Sequence, residues 1–224
     1  CLKCVEACPS GALKAWGEDM SVSDVMAVIE KDRNYYERSG GGVTVSGGDP
    51  LMQSDFTREL LKACRDAGIH TCLESTFNID WKIAEDVVRY ADLIISDIKH
   101  MDSEIHRKYT GAGCEKVLEN LRRLALDGHD MILRIPLIPG INDDMQNISR
   151  TADFIEQNIG ERLKTLQLLS FMRMGEEKCM SLDRVYEMKD LEFDREEFQE
   201  KVEKIAGYFN DRGIHCVIGT KEKE

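Results

Sequence analysis

A chain of 224 residues with 42 acidic against 30 basic side chains, a formal charge of −12, is long enough to bury a full core and reads as one domain with a small appendage. The acidic balance argues against nucleic acid or anionic lipid as the main partner and leaves small cationic ligands compatible. The longest apolar runs, such as Ile132 to Ile138, are broken by Arg134 and fall far short of the roughly 20 residues that span a bilayer, so neither a transmembrane helix nor a signal peptide is read.

The chain begins at Cys1 with no initiator Met and reads as a fragment or processed piece. Three of its eight cysteines stand in the first eight residues: Cys1, Cys4 and Cys8, followed by Pro9, have the spacing C-x2-C-x3-C-P. This matches the last three cysteines of the bacterial ferredoxin run, whose clustered thiolates hold a [4Fe–4S] centre. A zinc knuckle or free thiols is the competing reading, although zinc sites usually add a His or a second cysteine pair at a distance. Cys64, Cys72, Cys114, Cys179 and Cys216 sit within helix or strand patterns and are expected to be buried small apolar residues in a reducing cytoplasm.

From Ser21 to Arg38 the apolar positions Val22, Val25, Met26 and Ile29 predict a helix capped by Ser21 or Ser23. A core strand, Val43 to Ser46, then lies between two glycine clusters. In Gly47-Gly48-Asp49-Pro50 the glycines let the backbone approach a ligand, and Asp49 adds a carboxylate at the strand's C-terminal end. Read without context this is a tight turn, or a phosphate nest of an ordinary α/β enzyme. A helix from Asp55 to Ala67 follows. Strands are predicted at 69–75, 93–99, 131–138, 163–170 and 215–218, and helices at 80–90, 114–127, 145–159 and 194–212. The stretch between Phe171 and Phe193 is a long irregular loop, of a length that is usually functional or mobile.

Strand and helix alternate throughout, which predicts parallel βαβ units. These are too few for a closed eight-stranded barrel, and the polar residues gather at strand ends: Asp49, Glu74, Asp97 and Lys99, with Arg134 inside its strand. A partial, open (β/α) barrel with its site at that rim is the expected fold; a doubly wound sheet is the alternative.

Gly42-Val43-Thr44 followed by Ser46-Gly47-Gly48-Asp49-Pro50 resembles the "GGEP" element of radical S-adenosylmethionine (SAM) enzymes, particularly the activating enzymes of glycyl-radical enzymes. Asp49 stands where Glu is usual. His70 to Ser75 resembles the family's second-strand motif, Ser96-Asp97-Ile98-Lys99 its D-(V/L/I)-K strand, and Arg134 to Asp143 a further stretch lining the SAM pocket. The resemblance covers nearly all of residues 1–219. It implies a SAM site built from Gly47, Gly48, Asp49, Glu74, Ser75, Asp97, Ile98, Lys99, Arg134 and Met172. Residues 1–17 would be part of a ferredoxin-like module with Cys1, Cys4 and Cys8 as [4Fe–4S] ligands, and 18–224 the radical SAM barrel.

Two departures accompany it. The family's C-x3-C-x2-C motif, whose thiolates hold the SAM-cleaving cluster, does not occur in these residues, and in the family it precedes the ferredoxin-like module. The family's usual Pro-Tyr-His stands here, after the strand at 163–170, as Ser170-Phe171-Met172, so no His contact to SAM is available.

The implied activity is reductive cleavage of SAM to a 5′-deoxyadenosyl radical that takes hydrogen from a glycine of a partner glycyl-radical enzyme, with flavodoxin or ferredoxin as electron donor, in an anaerobic cytoplasm. No side chain here is required as a general base. A cluster-free barrel that binds SAM or the partner without turnover is the competing function. The Asp in the glycine loop points to a branch other than pyruvate formate-lyase activation, with an arylacetate decarboxylase or fumarate-adding synthase as partner by analogy.

Overall fold

In the computed structural model, which describes residues 2–15, 17–173 and 175–219, the alternation of apolar periods appears as strands and covering helices. A short helix α1 (Lys3–Glu6) opens the chain. Helix α2 (Val22–Ile29) starts at Ser21, whose hydroxyl accepts the Asp24 N–H while the Asp24 carboxylate accepts the Ser21 N–H, a reciprocal cap. The single helix expected to Arg38 is broken by a 3₁₀ turn at Glu30–Asp32 before α3 (Arg33–Ser39). Between Ile29 and Tyr35 there is no apolar residue to hold one continuous face against the core.

The remaining elements are β1 (Gly42–Val45), a 3₁₀ turn at Pro50–Gln53, α4 (Ser54–Asp66), β2 (His70–Glu74), α5 (Trp81–Val88), β3 (Leu93–Asp97), α6 (Ser103–Thr110), α7 (Glu115–Leu126), β4 (Met131–Leu137), α8 (Met145–Phe154), β5 (Leu163–Ser170), α9 (Glu176–Ser181), α10 (Arg195–Asp211) and β6 (Cys216–Ile218). Helix α6 was not expected from the apolar pattern. Its start is fixed by Asp102, whose carboxylate accepts the N–H groups of Glu104 and Ile105. Beyond Phe154, α8 widens into a π-helical turn, Ile155–Ile159, where one straight helix was expected.

The six strands pair in sequence order, β1 to β6, every neighbour parallel. This order has no reversal point, so it is not the doubly wound alternative. β1 and β6 do not pair with each other among the described residues, which leaves the barrel partial and open as expected. Gly42 is required at the first edge: a Cβ there would stand 1.9 Å from the His70 carbonyl oxygen.

Strand β4 shows how the sheet divides inside from outside. Met131, Leu133, Ile135 and Leu137 are fully buried beneath helices, while Ile132, Arg134 and Pro136 are half-buried on the other face, the period of two expected of a strand. A second, smaller cluster of Ile29, Leu60, Cys64 and Ile69 fastens α2 to α4. Cys64, Cys72, Cys114 and Cys216 are buried as expected. Cys179 is only half-buried, because α9 is a short surface helix.

Burial holds the imidazoles of His100 and His129 below their ordinary pKa. The unfolded chain therefore takes up protons that the folded chain refuses, so this stability is present above the ordinary imidazole value and is lost as pH falls from there through the lowered ones. Melting temperature is expected to decline from about pH 7.5 to about pH 5.5, and less steeply in His129→Gln. A wild-type melting temperature that is flat across this window would contradict the assignment.

Candidate functional site

The C-terminal ends of β1, β2 and β3 enclose a cavity of about 210 Å³ lined by Ser46, Gly47, Gly48, Glu74, Thr76 and Asp97, among others. Gly47 has φ 135°, which favours glycine. A Cβ added at Gly47 or Gly48 would meet no atom within 4 Å, so the main chain of this loop faces open space. The loop's exit is held by Asp49, which caps the Pro50–Gln53 turn by accepting the Leu51 N–H. Helix α4 then starts at Ser54 without a side-chain cap, because the 3₁₀ turn already begins the helical run.

Opposite charges at this rim are paired with one another. The strand register sets Asp97 beside Arg134 and Arg134 beside Gln167, all on the inner face. Arg134 donates from Nη1 to Glu74 at 2.8 Å and from Nε to Gln167 at 3.0 Å. Lys99 donates from Nζ to Asp97 at 2.6 Å. The Arg134 side chain is 19% exposed and Glu74 40%, so water reaches the acid from the cavity side.

A second cavity of about 560 Å³ adjoins through Thr76 and Asp97 and extends over the ends of β3 and β4, where Lys99, Tyr109, Ile138 and Met188 line it. Its wall is tied by Asn142, only 2% exposed. The Asn142 amide donates to the carbonyls of Lys99 and Pro136, and its oxygen accepts the Ile138 N–H. Asn147 continues the tie, donating to the Asn142 carbonyl and accepting the Met101 N–H. The exits of β3 and β4 are thus fastened by two neutral side chains.

Of the expected site residues, Gly47, Gly48, Glu74, Ser75 and Asp97 line the smaller cavity, Asp97 and Lys99 line the larger one, and Arg134 meets Glu74 from beneath. Ile98 is 3% exposed and belongs to the core, so it offers main chain only. Met172 is 66% exposed and lines a different cavity, of about 710 Å³, between the end of β5 and α10. Sequence reasoning missed Thr76, Gln167 and Asn147. A glutamine inside an apolar strand was the available signal for Gln167, since a polar group there needs a partner.

Cys1 lies outside the described residues. Cys4 is exposed and Cys8 half-buried. The N–H of Leu13 and the hydroxyl of Ser10 point at the Cys8 sulfur and lower its pKa to about 7, which favours the thiolate. Among the described residues no group of three or more His, Cys, Asp or Glu is placed to hold a metal ion.

Residues 7–152 match the radical SAM superfamily. Across its whole length the chain is 57% identical to the (2S)-3-sulfopropanediol dehydratase activating enzyme of Klebsiella oxytoca, of which it spans 70%. This chain belongs to the radical SAM superfamily, among its activating enzymes. It is also 36% identical, over 97% of its residues, to the 4-hydroxyphenylacetate decarboxylase activating enzyme of Clostridioides difficile, spanning 67% of that protein. A crystallised domain of a pyruvate-formate lyase-activating enzyme from Bacteroides vulgatus superposes with a TM-score of 0.65 at 29% identity, over 80% of this chain and 99% of that one.

Membership implies SAM and a [4Fe–4S] cluster, and the residues fit the two differently. An open glycine loop opposite two carboxylates, with Lys99 and Arg134 beside them, suits a ligand carrying an ammonium, a sulfonium and a carboxylate. For a cluster, the described residues supply only Cys4 and Cys8 of the expected run.

The buried tie makes a test of the rim. Asn142→Ala leaves the Ile138 N–H and two carbonyls unpaired and is expected to cost about 3 kcal/mol of unfolding free energy, measured by denaturant titration. A loss under about 1 kcal/mol would show that water replaces the amide and that the tie is dispensable.

Proposed function

We propose that this chain carries the SAM site of an activating enzyme that reductively cleaves SAM and installs a glycyl radical on a partner enzyme. The observation that carries this reading is the cavity at the ends of β1 to β3, where an open Gly47-Gly48 main chain faces the carboxylates of Glu74 and Asp97. When bound, SAM and a reducing [4Fe–4S] cluster supply the 5′-deoxyadenosyl radical chemistry.

The residues of this chain do the binding and orienting. Glu74 and Asp97 take the ammonium together with main-chain groups of the glycine loop, and Lys99 and Arg134 swing from their internal partners toward the carboxylate. The larger apolar cavity beside them keeps water from the reacting end. No side chain moves a proton, so the protein's contribution is position and field.

Residues 1–17 are read as part of a ferredoxin-like module and 18–224 as the barrel. Cys4 and Cys8 are then cluster ligands, with Cys1, and electrons arrive from flavodoxin or ferredoxin. The identity to a sulfopropanediol dehydratase activating enzyme makes a dehydratase of that class the first partner to test, in preference to the arylacetate decarboxylase suggested by analogy. Among the described residues no helix is long and apolar enough to cross a membrane; the anaerobic cytoplasm is proposed because such radicals are oxygen-sensitive.

The test uses the full-length natural protein, purified without oxygen, reconstituted with iron and sulfide and reduced with dithionite in the presence of the dehydratase. Formation of 5′-deoxyadenosine and a glycyl-radical electron paramagnetic resonance signal on the dehydratase is the expected result. SAM bound but never cleaved would overturn it in favour of a binding barrel without the chemistry.

A further inference from the structure

Asp49 stands next to the glycine loop, yet its carboxylate is already full. Oδ1 accepts the Leu51 N–H at 3.1 Å and the Ser75 hydroxyl at 2.8 Å; Oδ2 accepts the Thr76 N–H at 3.1 Å and the Thr76 hydroxyl at 2.6 Å. An ionised carboxylate offers about four acceptor sites, so none remains for a ligand's ammonium. Three of the four donors belong to Ser75 and Thr76, which leave β2, whereas Asp49 belongs to the exit of β1. The carboxylate therefore closes a clip between neighbouring strand ends.

The clip continues into the core. The Ser75 hydroxyl accepts the Phe77 N–H at 3.0 Å. Phe77 holds a left-handed φ of 53° with its ring wholly buried, and the Asn120 amide fastens its carbonyl and that of Ile79 from α7. Gly47-Gly48 is thus held at both ends, by the pairing of Val45 with Leu73 on one side and by Asp49 on the other. A loop of two glycines has no side chains with which to fix its own conformation, and glycine has the most conformational freedom to lose on ordering. An external fastener is what such a loop needs.

We infer that Asp49, Ser75 and Thr76 form one positioning unit that holds the Gly47-Gly48 main chain in place, and that Asp49 itself does not touch the ligand. Thr76 is the member no motif indicated. The inference rests on reading this cavity as the SAM site, and its test is built so that the two can fail separately.

In the reconstituted full-length protein, SAM affinity is measured calorimetrically for Asp49→Asn, Thr76→Val, the double variant and Thr76→Ser. Each of the first two is expected to weaken binding by about tenfold. The double variant should be no weaker than the worse single one, because both remove the same clip, and Thr76→Ser should restore binding. If Asp49 held the ammonium directly, Asp49→Asn would cost far more than Thr76→Val and the two losses would multiply, which would overturn the inference.

Amide hydrogen exchange over residues 46–51 without ligand gives an independent reading. Exchange there should speed up in Thr76→Val and return to the wild-type rate in Thr76→Ser. An unchanged rate in Thr76→Val would overturn the clip, whatever the ligand does. Wild-type protein that binds no SAM would overturn the proposed site, and the exchange data would still decide the clip.

Discussion

One guanidinium holds the inner face of this sheet together. Arg134 on β4 reaches past β3 to Glu74 on β2 and sideways to Gln167 on β5, so one side chain links three strands of the sheet. A cation only 19% exposed requires such partners, since a half-buried charge left unpaired costs several kcal/mol. The arrangement also sets the chemistry of the rim. With Lys99 on Asp97 and Arg134 on Glu74, the charges are balanced before any ligand arrives. The zwitterionic end of the proposed ligand would have to exchange internal ion pairs for its own, and such an exchange favours selectivity over raw affinity.

Around this centre of paired charges the rim is fixed by short polar side chains. Asn142 and Asn147 bind the exits of β3 and β4, and Asp49 with Ser75 and Thr76 binds those of β1 and β2. Loops at the ends of parallel strands carry main-chain groups that no ladder satisfies. Short polar side chains supply the missing partners at low entropic cost, and the site is organised before it is filled.

Much of this was legible in the residues. The alternation of β-branched runs with amphipathic stretches predicts the order of strands and helices, and polar residues at strand ends mark the working rim. Alternation along 97–99 even assigns Asp97 and Lys99 to one face and Ile98 to the other, a parity that the motif resemblance passes over. Other features depend on register between strands. That Asp49 meets Thr76, or Arg134 meets Gln167, follows from pairings across 27 and 33 positions that no local pattern encodes. Helix α6 was hidden because its one buried residue is His106, which carries no apolar signal. Met172 was grouped with the site by motif order, whereas the chain turns it over β5 into a separate cavity.

The central claim is that the paired charges at the strand ends recognise the amino-acid end of SAM. It is tested most directly by comparing, in one calorimetric series on the reconstituted full-length protein, SAM with 5′-methylthioadenosine, which keeps the adenosine and lacks the amino acid and the sulfonium charge. The account predicts that SAM binds at least about a hundredfold tighter, a difference of roughly 3 kcal/mol. Equal affinity for the two would mean that the charges of Glu74, Asp97, Lys99 and Arg134 serve only one another.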